Sequence, residues 1–174
     1  MFSPIYLRSL VYDHSIQLTS MEPIRSKAYP LPFAMREAVD KEIDSMLACG
    51  VIEPSTAAYA SPIVVVKKPD GSNRMCVDYR KLNKITVFDP EPMPQMRDIF
   101  AELCGSQYYS KFDFCKGYWQ VPMSQEYMDL TTFVTQGLFR FRVMPFGLVN
   151  APATFSRIMR KLLDLLTFII TLMM

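Results

Sequence analysis

Apolar residues recur at helical spacing between Phe33 and Cys49: Met35, Ala38, Val39, Ile43, Met46 and Leu47 share a stripe that Glu42 interrupts. The spacing predicts a helix, and Gly50 is a fitting stop because glycine tolerates the left-handed backbone that ends helices. Pro62 to Val66 is a β-branched run, and Arg74 to Tyr79 returns as a second strand. Between them, Pro69-Asp70-Gly71 couples a fixed dihedral to a residue that accepts a positive one, so the two runs predict a β-hairpin with a basic tip. A second helix is predicted from Pro94 through Ile99, Phe100 and Leu103. A strand is predicted over Tyr108 to Phe114, ending at Asp113, and a further hairpin over Thr131 to Val134 and Leu138 to Val143 around Gln136-Gly137. The last helix begins after Asn150, a good N-cap, with Pro152 in its first turn and an apolar stripe of Phe155, Ile158, Met159, Leu162, Leu163 and Leu166. Residues 1–32 lack periodicity and carry Pro4, Pro23, Pro30 and Pro32, which predicts an extended N-terminal arm or linker. Strands and helices alternate irregularly, with hairpins, so the predicted class is α+β.

Composition narrows this picture only slightly. At 174 residues, 50% hydrophobic and 21% charged, the chain fits one globular domain or part of a larger one, and the composition argues against disorder. A net charge of +2 says little about partners, but its distribution says more. Lys67, Lys68, Arg74, Arg80, Lys81 and Lys84 crowd one stretch, opposed only by Asp70 and Asp78. Cys49, Cys76, Cys104 and Cys115 show no metal-ligand spacing, and the single histidine, His14, does not complete a zinc site; the cysteines read as reduced core thiols. Arg8 and Asp13 interrupt any signal-like apolar stretch at the N-terminus. The apolar run Leu165 to Met174 is far shorter than the roughly 20 residues of a membrane span and reads as a core segment, so no membrane partner is expected.

Three features carry candidate chemistry. Asp113, at a strand end beside Gly117, Tyr118 and Trp119, has the setting in which a carboxylate holds a divalent cation while a nucleotide packs alongside; a strand-end aspartate capping a turn is the plainer alternative. Lys68 and Arg74 flank the tight turn, where a point charge and a bidentate fork can converge on one phosphate; the alternative is a solvated charged turn. Met144-Pro145-Phe146-Gly147, leading to Asn150-Ala151-Pro152, is either a pocket wall or only a connection.

Taken in order, these stretches form a longer pattern. Cys49-Gly50-Val51-Ile52-Glu53-Pro54-Ser55 is followed by Ala60-Ser61-Pro62, then by Val66-Lys67-Lys68-Pro69-Asp70-Gly71-Ser72, Arg74 and Cys76-Val77-Asp78-Tyr79-Arg80-Lys81-Leu82-Asn83. Next come Lys111-Phe112-Asp113-Phe114 with Gly117-Tyr118-Trp119-Gln120, Thr131-Thr132-Phe133, Met144-Pro145-Phe146-Gly147-Leu148 and Asn150-Ala151-Pro152-Ala153-Thr154-Phe155. Over residues 14–163 this succession resembles the reverse transcriptase domain of gypsy-type long-terminal-repeat retrotransposon Pol polyproteins. The resemblance implies a right-hand polymerase, with residues 33–174 as fingers and the N-terminal part of the palm. It also implies template-directed addition of deoxynucleoside triphosphates to a primer on an RNA or DNA template. In that family two Mg²⁺ ions activate the primer 3′-hydroxyl and neutralise the triphosphate and leaving pyrophosphate. Carried over by motif, Asp113 is the first metal-binding aspartate, and the backbone carbonyl of Phe114 helps to complete that coordination. Lys68 and Arg74 grip the triphosphate, Tyr118 lies under the sugar and excludes a 2′-hydroxyl, and Phe146 and Gly147 line the nucleotide pocket. Arg80 and Asn83 contact the template strand.

The family's second metal motif, an aromatic and a variable residue before two aspartates, has no counterpart, since no two consecutive aspartates occur. After Asp113 the carboxylates are Glu126, Asp129 and Asp164, none of them in that motif. The expectation is a domain truncated before its second aspartate motif, inactive alone, whose partners include the remainder of the Pol polyprotein: palm, thumb and RNase H. A non-catalytic nucleic-acid-binding or structural role is the alternative. By family the setting is intracellular, cytoplasmic or nuclear. Lys116 stands where relatives often carry a small or polar residue.

Overall fold

The computed structural model describes residues 12–67, 69, 71, 73–92, 97, 100–101, 104–105, 107–108 and 113–163. Helix α1 spans Phe33–Ala48 and buries Val39, Ile43 and Met46, so the predicted stripe faces inward. Cys49 caps it and Gly50 turns the chain at φ 67°. Strand β1 (Ile52–Pro54) follows directly. The predicted basic hairpin is β2 (Ser61–Lys67) paired antiparallel with β3 (Asn73–Val77), in a register that sets Val66 opposite Arg74. Gly71 in its turn has φ 80°. Lys68, Asp70 and Ser72 lie outside the described residues.

Helix α2 (Arg80–Ile85) leaves the hairpin, with Leu82 buried. Of the helix predicted from Pro94, Arg97, Phe100 and Ala101 are helical and most of the others lie outside the described residues. The strand predicted over Tyr108 to Phe114 lies there too, except at its ends: Tyr108, Asp113 and Phe114 have irregular backbone. A 3₁₀ helix at Gly117–Gln120 and another at Gln125–Thr131 precede the second hairpin, β4 (Phe133–Val134) and β5 (Leu138–Phe141).

That hairpin is shorter than its sequence predicts. The Thr131 and Thr132 hydroxyls donate to the carbonyls of Met128 and Asp129 three residues back, at 2.6 and 2.8 Å, which holds Thr131 in the 3₁₀ turn. Helix α3 (Ala151–Leu163) buries Phe155, Ile158 and Met159. Leu162, predicted to belong to that stripe, is instead 52% exposed. The run Leu165 to Met174 lies outside the described residues.

The strands form one mixed sheet in the order β1-β5-β4-β2-β3. Only β2 and β4 run parallel, with Ser61 opposite Phe133. Helix α1 packs against β1 and β3 and closes a core of Ile43, Met46, Ile52, Ile63, Trp119 and Phe133. A second core joins Tyr79, Leu82, Val121, Met144 and the inner face of α3. Residues 12–32 form no helix or longer strand, and isolated bridges join His14 to Met123, Leu18 to Thr86 and Arg25 to Ala60. Ile16 enters the second core at 2% exposure. All four cysteines are free, but only Cys49 and Cys76 are half-buried. Cys104 and Cys115 are exposed, contrary to the core placement predicted, because both sit in turns. Among the described residues no helix is long and apolar enough to cross a membrane.

Candidate functional site

Three of the predicted site residues, Arg74, Tyr118 and Phe146, meet in a single aromatic wall. The wall starts at Phe146, a residue 41% exposed in the loop between β5 and α3. Gly147 beside it takes φ 94°. A side chain there would meet the Tyr79 ring and the Val77 carbonyl at 3.5 Å, so the loop lies close over the end of β3. Asn83 fixes it from below: its Nδ2 donates to the Gly147 carbonyl at 2.8 Å, and its Oδ1 accepts from the Val149 N–H at 3.0 Å. Tyr79 is buried behind, its hydroxyl donating to the Thr131 carbonyl at 2.8 Å, and burial pushes its phenol well above the ordinary value.

Tyr118 stacks on Phe146 with centroids 5.0 Å apart and planes at 30°, and meets Phe155 of α3 at 5.4 Å and 60°. Half-burial raises its phenol too. Arg74 of β3 holds its guanidinium 5.7 Å over the other partner of this stack, the Phe146 ring. Arg74 of the hairpin, Phe146 of the β5–α3 loop and Tyr118 of the turn after Asp113 therefore share one surface, although they are far apart in sequence.

Asp113 and Phe114 are exposed in the irregular backbone that enters the Gly117–Gln120 turn. Phe114 packs edge-on to Phe155 at 6.1 Å. Gly117 permits this approach, since a Cβ there would stand 3.0 Å from Phe155 Cζ and 3.3 Å from Phe114 Cβ. Arg80, exposed at the start of α2, is committed to Asp78: Nε donates to Oδ1 at 2.8 Å and Nη2 to Oδ2 at 2.7 Å. Those donated bonds hold the Asp78 carboxyl down at about 2. Lys68 lies outside the described residues.

Asn83 was predicted as a template contact, and the structure shows its amide occupied at both ends within the fold. No sequence signal announces partners 64 and 66 positions away. Lys116 and Trp119 also join the wall, with the Lys116 ammonium 3.9 Å from the Trp119 ring centroid. A cleft of about 380 Å³ lies elsewhere, between the extended arm and Val87–Pro90, and holds none of the predicted site residues.

Residues 66–172 match the family described as reverse transcriptase (RNA-dependent DNA polymerase), more than half of the chain. The chain belongs to the reverse transcriptase family. The Pol polyprotein of transposon 297 from Drosophila melanogaster is 42% identical over 86% of this chain and 15% of its own length. That of transposon gypsy, from the same organism, is 34% identical over 82% of this chain and 14% of its own. Among solved structures, the foamy viral protease-reverse transcriptase in complex with an RNA/DNA hybrid superposes with a TM-score of 0.84 at 26% identity, covering 94% of this chain and 22% of that one. The chain thus spans about a seventh of the retrotransposon polyproteins it matches, and its fold is that of a reverse transcriptase.

Divalent cations serve this family's chemistry. Among the described residues no three His, Cys, Asp or Glu gather as a metal site, and Asp113 stands as a single carboxylate. One carboxylate does not fit a pair of cations facing a triphosphate.

Proposed function

We propose that this chain is the nucleotide- and template-gripping part of a retrotransposon reverse transcriptase, an RNA-directed DNA polymerase. Residues 1–32 form its arm, and residues 33–174 its fingers and the front of its palm. The observation that carries the reading is the convergence of Arg74, Tyr118 and Phe146 on one wall next to the segment that holds Asp113. In this reading Lys68 and Arg74 grip the triphosphate of an incoming deoxynucleotide, and Tyr118 lies under its sugar. Phe146 and Gly147 form the pocket wall, and Asp113 with the Phe114 carbonyl supplies the first ligands to Mg²⁺. Arg80, oriented by Asp78, faces the template backbone. Asn83 serves the template side through the loop it clamps.

The sequence has no second aspartate motif, so the same reading makes the chain a binder of RNA or DNA template-primer that does not extend it alone. The test is fluorescence anisotropy with a labelled RNA template carrying a recessed DNA primer, followed by primer extension with Mg²⁺ and the four deoxynucleotides. Binding should weaken steeply as salt rises, because phosphate contacts release counterions, and no extension should follow. Absence of binding at low salt would overturn the proposal. Extension by the purified chain would overturn its claim of inactivity.

A further inference from the structure

Lys116 is the one non-glycine residue with positive φ among those described, at φ 50° and ψ 49°. That left-handed backbone costs an L-residue about 1 kcal/mol or more and persists where the surroundings impose it. Here it aims the side chain at Trp119, whose indole is buried and packs at 6.4 Å from Phe146. Phe146 carries Arg74. Two cations, one from β3 and one from the turn after Asp113, are therefore mounted on the same aromatic wall.

Among the described residues Arg36 and Lys161 also rest on rings, over Phe33 and Tyr12, but only Arg74 and Lys116 do so on this wall. Arg80, Arg140, Arg142, Arg157 and Arg160 each pair with a carboxylate. Arg74 and Lys116 reach none among the described residues; both rest on ring faces. A ring face holds a cation in place without neutralising it, so both keep their full charge for an anion. An ammonium on a flexible stem can also leave its ring and follow a ligand.

We propose that Lys116 is a further phosphate-binding residue of this site, moving from Trp119 to the polyphosphate of the nucleotide that Arg74 grips. This rests on the nucleotide-binding reading above. Trp119 is the only tryptophan, so its emission reports directly on the departure of the ammonium.

The test is a titration of the purified full chain with inorganic tripolyphosphate, without metal, followed by Trp119 emission and by equilibrium dialysis. Wild type should bind saturably with a change in emission. Lys116→Asn keeps a residue that tolerates left-handed backbone; it should bind about tenfold more weakly and lose the emission change, with its urea midpoint near wild type. Lys116→Arg should restore the binding. Arg74→Met should also bind more weakly, yet keep the emission change at saturation. If Lys116→Asn binds as wild type does while Arg74→Met is weakened, the role of Lys116 is overturned and the triphosphate grip stands. If wild type takes up no tripolyphosphate, both fall.

Discussion

Burial decides the chemistry of His14. Its Nδ1 lies 2.8 Å from the Thr154 hydroxyl, its Nε2 is buried without a partner, and the ring is 1% exposed. Desolvation lowers its pKa from 6.5 to about 4, against a smaller opposing pull from Asp89. Because the folded value lies below the unfolded one, the unfolded chain takes up the proton first as pH falls. Stability is then complete above about 6.5 and is lost on acidification towards 4. Urea unfolding should show a loss of about 3 kcal/mol between pH 7 and pH 4 attributable to this residue. His14→Gln should remove most of that slope, and an unchanged slope would disprove the assignment. At the same scale, Gly147→Ala should cost about 1 kcal/mol by urea midpoint. The new methyl finds ordinary contacts at 3.5 Å, and the penalty comes from φ 94° alone. Residue types told part of this in advance. Arg74, Tyr118 and Phe146 were marked by their motifs and do meet on one wall. The clamp role of Asn83 and the pairing of Lys116 with Trp119 depend on contacts that no local pattern encodes.

Elements followed local periodicity where one face alone had to be buried. Helix α1 and the β2–β3 hairpin appear where the stripe and the Pro-Asp-Gly turn put them. Prediction missed where side chains made local bonds or where the end of an element met solvent, as at Thr131 and Leu162. Asn150 shows the same limit. A good N-cap by residue type, its side chain instead ties α3 to the preceding extended segment: Nδ2 donates to the Val87 carbonyl at 2.7 Å, and Oδ1 accepts from the Asp89 N–H at 3.0 Å. Arg157 reinforces the tie through Asp89 and Glu91, at 2.7 and 2.8 Å. Asn150→Ala strands two backbone groups in a part-buried seam and should lower stability by about 1–3 kcal/mol. An equal loss in Asn150→Asp, which retains the acceptor but not the donor, would show that the Val87 bond dominates.

The arm matters at the scale of the molecule. Prolines and missing periodicity predict an extended segment, and residues 12–32 hold no helix and no strand longer than an isolated bridge. Their bridges to Met123, Thr86 and Ala60 and the buried Ile16 make them part of the fold's packing. Ile16→Ala should therefore cost about 2–4 kcal/mol, the price of a core cavity, in a denaturant titration. A loss below about 0.5 kcal/mol would mean that the arm is peripheral. By itself the sequence determined the α+β class, the hairpins, the first and last helices and the succession of motifs that places the chain among reverse transcriptases, because those rest on short-range periodicity and turn chemistry. Tertiary structure alone decided the parallel pairing of β2 with β4, the burial of His14 and Ile16 of the arm, and the wall where Arg74, Tyr118 and Phe146 meet. These depend on long-range contacts, whose partners are chosen by packing and by hydrogen bonds between distant segments, and residue order does not state them.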